Sequence, residues 1–265
     1  MHPIAFQFGS FTITWYGVMV AMGFLAGLWV AARRAMGENI PSEKIYDLGP
    51  WLILGSILGA RTLYVITFWG DQFANRPFTD IFKVWKGGLV YYGGLIGASL
   101  AVILYSRIKK FPLWKLADIL APSISLGYAF GRIGCLMNGC CYGRECHLPW
   151  AIKFPVGHET HPAGSPALPV HPTEIYESLL SFGLFGFLSW LYGRKKFDGQ
   201  IFAAYLVCYA LLRSFVEVFR GDYPAYQRFM GVATPAQMVS IGIFIAGIVL
   251  LLVLPRMVKG LKARQ

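Results

Sequence analysis

The chain has 265 residues, 56% of them hydrophobic and only 14% charged, and its mean hydropathy is +0.52. These values exclude an ordinary soluble domain and indicate an integral membrane protein. A net charge of +11 would point a soluble protein toward nucleic acid, but here the basic residues stand in short clusters between apolar runs, which is a topology signal.

A membrane-crossing helix needs about 20 mostly apolar residues. The stretches 13–32, 49–69, 88–106, 116–134, 175–192, 200–219 and 237–254 approach that length. They lack period-two alternation, which favours helices over a transmembrane barrel. The expected fold is an all-α polytopic membrane protein of about seven transmembrane helices, one domain over 1–265. The opening MHPIAFQFGSFTITWYG has no Lys or Arg before the first run and no small-residue cleavage pattern after it, so that run is expected to be retained.

Basic residues follow the odd-numbered runs: Arg33, Arg34 and Lys44, then Arg107, Lys109, Lys110 and Lys115, then Arg194, Lys195 and Lys196, then Arg256, Lys259, Lys262 and Arg264. By the positive-inside rule the N-terminus is expected outside and the C-terminus in the cytoplasm. The 135–173 connection then lies outside; it holds six of the chain's 15 prolines and reads as a functional cap or a disordered loop. No internal or inverted repeat is apparent.

Charges inside membrane runs are functional candidates by default. Arg61 and Arg132 interrupt the second and fourth runs, and the sixth carries Tyr209, Arg213 and Glu217 at i, i+4 and i+8, one helical face. An Arg213–Glu217 pair that only neutralises itself is the simpler reading of that face. The alternating topology nevertheless brings Tyr16, Tyr91, Tyr92, Arg132, His171, Glu174, Glu177, Arg213 and Glu217 to the outer half, a predicted site open to lipid. Two glycine stretches, KGGLVYYGGLIGA (86–98) and FGRIGCLMNGCCYGRE (130–145), serve either close helix packing or anion binding by backbone N–H groups. Arg132 in the second favours a phosphate, since a guanidinium holds two phosphate oxygens at once.

Together these motifs resemble the prolipoprotein diacylglyceryl transferases: Trp15-Tyr16-Gly17, LGAR ending at Arg61, YGGLIG at 92–97, GRIG followed by NG and Gly143, HPTEIYE at 171–177, and YALLRSFVEVFR at 209–220. The resemblance implies a seven-helix enzyme of the bacterial inner membrane. It would move the diacylglyceryl group of phosphatidylglycerol onto the lipobox cysteine of a prolipoprotein signal peptide and release glycerol phosphate. It implies no cofactor and no metal; the partners are the two substrates and the bilayer, and a monomer is expected. Arg132 matches the family's phospholipid-binding Arg, Arg213 and Glu217 its essential pair, and Tyr16 a functional Tyr of the first helix. Arg132, Arg213, Glu217, Tyr92 and Tyr16 are thus the catalytic candidates. Arg132, Arg213, Gly93, Gly94, Gly131, Gly134, Gly143, Asn138 and Tyr209 are the candidates for binding phosphatidylglycerol. His171, Tyr176 and Glu177 match a recurrent stretch that implies no particular role.

The chain departs from that family's pattern in three places. Tyr92 stands where a His is usual, and a phenol of pKa ~10 is a poor base for a thiol of ~8.5. Cys135 and Cys140 replace an Asn and an acidic residue, and Cys141 and Cys146 follow. The spacing is not that of common zinc sites. Disulfides, Cys135–Cys140 first, are the preferred reading outside the membrane; a metal site with His147, a redox-active pair and unpaired thiols stay open. Cys208 is expected to be an inert thiol, His2, His158 and His161 solvated, Met22 and FGLFGFL lipid-facing or packing, and Asp118 a cytoplasmic helix-end charge. A membrane thiol oxidoreductase, a lipid transporter or a transferase with another acceptor are the competing functions.

Overall fold

The computed structural model describes residues 3–9, 11–74, 77–221 and 234–262; His2 and Arg264 lie outside them. The chain opens with an antiparallel hairpin, β1 (Ile4–Phe8) and β2 (Phe11–Thr14). The long helices follow: α1 (Trp15–Gly37), α2 (Ser42–Thr67), α3 (Tyr91–Ile108), α4 (Leu113–Asn138), α5 (Thr173–Tyr192), α6 (Gln200–Glu217) and α7 (Pro235–Lys262). Each sits on one of the predicted apolar runs. The hairpin was not expected, although the alternation Ile4, Phe6, Phe8 before Gly9 carries its period-two signal.

Among the described residues six helices, α1, α2, α4, α5, α6 and α7 over Pro235–Arg256, are long and apolar enough to cross a membrane. The seventh, α3, is not one of them; it opens with Tyr91-Tyr92-Gly93-Gly94 and carries Arg107 near its end. The protein is therefore all-helical and polytopic apart from the hairpin. Apolar side chains also face outward along the helices, Leu58 at 66% and Leu179 at 65% exposure, as a hydrocarbon solvent allows.

Helix ends differ from expectation where polar residues hid continued helix. α2 starts at Ser42 and runs through Pro50, and α7 runs through Pro255. α4 extends to Asn138, so Cys135 belongs to its last turn and not to the following connection.

The residues form two compact units, Met1–Ala31 with Ala117–Gln265, and Ala32–Leu116. In the second unit α2 and α3 cross on two facing small-xxx-small pairs, Gly55/Gly59 and Gly93/Gly97. A Cβ built on Gly97 would lie 2.0 Å from the Gly55 carbonyl oxygen, and one on Gly59 2.3 Å from that of Gly93. Backbones in contact maximise dispersion where no hydrophobic drive separates helix from lipid. Arg61, buried at 8% exposure, donates to four carbonyls, those of Asp80 (2.7 Å), Ile81 (2.7 Å), Gly87 (2.9 Å) and Gly88 (3.1 Å). Its task is structural: it pins the segment leading into α3.

In the first unit Ala121, Leu184, Leu188 and Ile201 form a core between α4, α5 and α6. Ser125 Oγ donates to the Ser181 carbonyl (2.9 Å) and Ser178 Oγ to that of Ala129 (3.1 Å), which fixes the α4–α5 register. Asp118 is wholly buried and accepts from the backbone N–H of Gly199 (2.8 Å) and Phe202 (3.0 Å). It caps the start of α6 from a neighbouring helix, a more buried role than the solvent-side charge expected from sequence. Capping and charged hydrogen bonds of this kind are worth about 1–3 kcal/mol. Asp118→Ala is accordingly expected to lower the thermal midpoint in detergent measurably. Gly97→Ala is expected to lower it more, because backbone and not a flexible side chain must move. A midpoint unchanged in both would contradict this packing.

Candidate active site

The first unit gathers most of the predicted site. Arg132 on α4 and Arg213 on α6 meet on one carboxylate, Glu177 of α5. Arg132 Nε is ion-paired with Glu177 Oε2, and Arg213 Nη1 lies 2.7 Å from Glu177 Oε1. The same Nη1 is 2.7 Å from Glu217 Oε2 one turn along α6. Thr234 Oγ1 donates to the other Glu217 oxygen at 2.7 Å. These side chains are 0–12% exposed. Two guanidiniums and two carboxylates so close together form a neutral network, the condition under which charges persist at such depth.

Tyr128 completes it. Arg132 Nη2 donates to the Tyr128 hydroxyl at 2.5 Å, and that hydroxyl lies 3.2 Å from Glu177 Oε2, to which it donates. The Arg132 guanidinium also stands 4.8 Å from the centre of the Tyr128 ring. Tyr209 packs edge-on against that ring, centroids 5.7 Å apart, so Tyr209, Arg213 and Glu217 do share a face. Sequence reading passed over Tyr128, although its i, i+4 spacing from Arg132 on one helix was available. It left Glu177 without a role; the structure makes it the hub.

Arg132 and Glu174 are the charged groups on the wall of a cavity of about 220 Å³, with Ile133, Leu136, Ile175, Ser178, Leu179 and Phe182 around them. Glu174 is 1% exposed, and neither of its carboxylate oxygens has a hydrogen-bond partner among the described residues. A cavity with a guanidinium and a buried carboxyl group on an otherwise mostly apolar wall suits a polar lipid headgroup joined to its chains.

The glycines divide by geometry. Gly131 and Gly134 lie inside α4, whose own ladder takes their N–H groups, and Gly94 N–H donates to the Val90 carbonyl at 3.2 Å. Free N–H groups for an anion are therefore not what these positions provide. A Cβ on Gly134 would come 3.2 Å from Tyr16 Cα, so Gly134 lets the start of α1, and Tyr16 with it, approach α4. Gly131 has open space around it. Gly143 has none: a Cβ there would meet the His171 carbonyl oxygen at 2.6 Å and that of Phe219 at 2.8 Å. At this crossing Gly143 N–H donates to His171 and Arg144 N–H to Phe219. Tyr92, 44% exposed, Gly93 and Gly94 belong to the second unit, at the start of α3.

The connection from Gly139 to Pro172 is built and packed. Glu145 and Ile152 bridge to Val170, and Phe154, Thr160 and Val170 are buried. His158 and His161 are not simply solvated: His158 Nε2 donates to the Gly139 carbonyl (2.6 Å) while its Nδ1 accepts from Thr160 N–H (3.1 Å), and His161 Nδ1 donates to the Phe154 carbonyl (2.9 Å). His171 Nδ1 lies 3.2 Å from the Tyr176 hydroxyl.

All five cysteines are free thiols, so the preferred disulfide is not present. Cys135, Cys140 and Cys141 stand together, their sulfurs all within 4.8 Å of one another; Cys146 and His147 are not in this group, and Cys208 packs against the α4–α6 core. Asn138 hydrogen-bonds the Cys140 sulfur. Hydrogen bonds from Cys135 and Cys140 hold the Cys141 thiol well below the ordinary thiol range, and Arg220 and Arg132 add to this. The same three cysteines and Arg132 lie within electrostatic reach of Tyr16.

Removing one partner of a buried ion pair costs about 3–5 kcal/mol. Glu177→Ala should therefore lower the thermal midpoint strongly, and Glu217→Ala less, because Arg213 keeps Glu177. Gly143→Ala should destabilise while Gly131→Ala leaves the midpoint in place; the reverse order would contradict the crossing at Gly143.

A sequence model of the family described as Prolipoprotein diacylglyceryl transferase matches residues 3–253. A Finegoldia magna protein named phosphatidylglycerol–prolipoprotein diacylglyceryl transferase is 37% identical over 251 residues, 94% of each chain. Proteins of the same name from Nitratidesulfovibrio vulgaris, 35% identical over 94% of this chain and 92% of theirs, and from Thermosynechococcus vestitus, 33% identical over 82% and 80%, are similar as well. With the motifs, the polytopic helical fold and near-complete coverage in agreement, the chain belongs to the prolipoprotein diacylglyceryl transferase family.

Proposed function

We propose that this protein transfers the sn-1,2-diacylglyceryl group of phosphatidylglycerol to the thiol of the lipobox cysteine in prolipoprotein signal peptides, the first step of bacterial lipoprotein maturation. The observation that carries this reading is the pair of buried guanidiniums clamped on Glu177, with Arg132 on the wall of a largely apolar cavity. The acceptor sulfur attacks the glycerol carbon bearing the phosphate ester, the C–O bond breaks, and glycerol phosphate leaves with the electron pair. Arg132 holds the phosphate and stabilises the charge that grows on the leaving oxygen. Arg213 keeps Glu177 when the phosphate displaces it from Arg132, so that carboxylate is not left unpaired. Glu217 keeps Arg213 aimed, and Tyr209 and Tyr128 brace the two guanidiniums. Tyr16, Asn138 and the glycines at 131, 134 and 143 shape the remainder within the first unit; Tyr92, Gly93 and Gly94 are candidates that belong to the second.

In this reading the whole chain works as one monomeric transferase of the bacterial inner membrane. Fourteen Lys and Arg residues follow the odd-numbered apolar runs of the sequence, which supports an outer N-terminus, a cytoplasmic C-terminus and α3 as a seventh span. The Pro-rich α4–α5 connection then lies outside, beside the site. Neither substrate has to leave the bilayer.

Mass spectrometry of a lipobox peptide incubated with the purified protein and phosphatidylglycerol tests the reading. A diacylglyceryl mass gain is expected on the Cys peptide and not on its Cys→Ser counterpart. No gain from folded protein, or equal gain on the Ser peptide, would contradict it.

A further inference from the structure

The proposed reaction leaves one task without an owner. The acceptor thiol must lose its proton before it attacks, and a phenol such as that of Tyr92 is a poor base for it. Three thiols of the chain itself stand beside the donor site. Cys135 lies one turn after Arg132 on α4. The helix then ends with Gly139 N–H donating to the Leu136 carbonyl and Cys140 N–H to that of Cys135, both at 3.2 Å. These are the paired bonds of a Schellman end, with Gly139 at φ 76°. The reversal sets Cys140 back beside Cys135. Cys141 takes φ 74°, a left-handed value that a non-glycine residue rarely adopts. In that conformation its sulfur joins the other two, all within 4.8 Å of one another.

Zinc–thiolate bonds of ~2.3 Å set tetrahedral ligand sulfurs about 3.8 Å apart, so separations need to close by no more than about 1 Å. Among the described residues no further His, Cys, Asp or Glu joins the group, which is the ligand count of a site with an open position and not of a closed structural one. Three thiolates on a divalent ion carry one net negative charge, and Arg220 and Arg132 are both within electrostatic reach. The three cysteines are only partly buried, so an ion and a substrate thiol have access.

We propose that Cys135, Cys140 and Cys141 bind a thiophilic divalent cation, zinc by its chemistry, whose open fourth position takes the thiol of the acceptor cysteine. The inference rests on the transferase reading. Coordination sends the thiol proton to water and presents the acceptor as a thiolate without a protein base. Its sulfur bonds to the glycerol carbon, the C–O bond breaks, its electron pair leaves on the glycerol phosphate held by Arg132, and the neutral thioether leaves the metal. Nothing is oxidised or reduced.

The test uses the full chain, purified in detergent and reduced, with metal content measured and with cobalt(II) as a spectroscopic stand-in for zinc. One equivalent of metal is expected, together with a sulfur-to-cobalt charge-transfer band that shifts when a lipobox Cys peptide is added and not with the Ser peptide. Both should disappear in Cys135→Ser and Cys141→Ser and persist in Cys208→Ser. Chelation should reduce diacylglyceryl transfer by ~10²-fold or more, and zinc should restore it. Full transfer by metal-free, reduced protein would overturn the site and leave the transferase reading standing, as would a Cys135–Cys140 disulfide in the active protein. One bound cobalt whose spectrum ignores the Cys peptide, in protein that never modifies it, would overturn the assignment to acceptor binding together with the transferase reading.

Discussion

A bare charge inside a membrane helix bundle is untenable, and the organisation around Glu177 answers that constraint. Arg132 and Arg213 come from helices α4 and α6, and the carboxylate between them from α5. Each of the three helices is therefore tied to the other two through one side chain. A network of this kind contributes little net stability compared with apolar packing, yet it is expensive to break. Its value is positional. The two guanidiniums stay aimed and close together, which the proposed phosphate site requires and which lipid would otherwise prevent.

The rest of the first unit serves that placement. Ser125 and Ser178 lock α5 to α4 by bonds to backbone carbonyls, and Ser178 is the neighbour of Glu177 in sequence. Asp118 seats the first turn of α6, whose far end carries Arg213 and Glu217. Gly143 allows three chain segments to cross above α5 where no side chain fits. Small residues, buried hydroxyls and one buried carboxylate thus do the orienting work that a large hydrophobic core does in water.

Much of this was legible in the sequence. Every long helix followed from an apolar run, and the i, i+4, i+8 face of Tyr209, Arg213 and Glu217 followed from helical periodicity. What periodicity could not supply was partnership across helices. Glu177 was placed in the outer half by topology and in a motif by resemblance but without its two arginine partners, and Tyr128 looked like one more aromatic in an apolar run. Arg61 looked like a functional charge because its acceptors are backbone carbonyls, which sequence does not display. The cysteine cluster was obscured for a different reason: linear spacing was compared with familiar metal motifs, whereas the reversal at Gly139 brings residues 135, 140 and 141 to one point.

Under the proposed function the arginines manage the phosphate, and under the further inference the thiol cluster faces the acceptor. The claim on which the account turns is that Arg132 acts through the two-pronged geometry of its guanidinium and not through charge alone. The most direct test is the initial rate of diacylglyceryl transfer by Arg132→Lys, measured beside its thermal midpoint. The account predicts a fall of ~10²-fold or more in protein whose midpoint shows it to be folded. Transfer at the wild-type rate would contradict it.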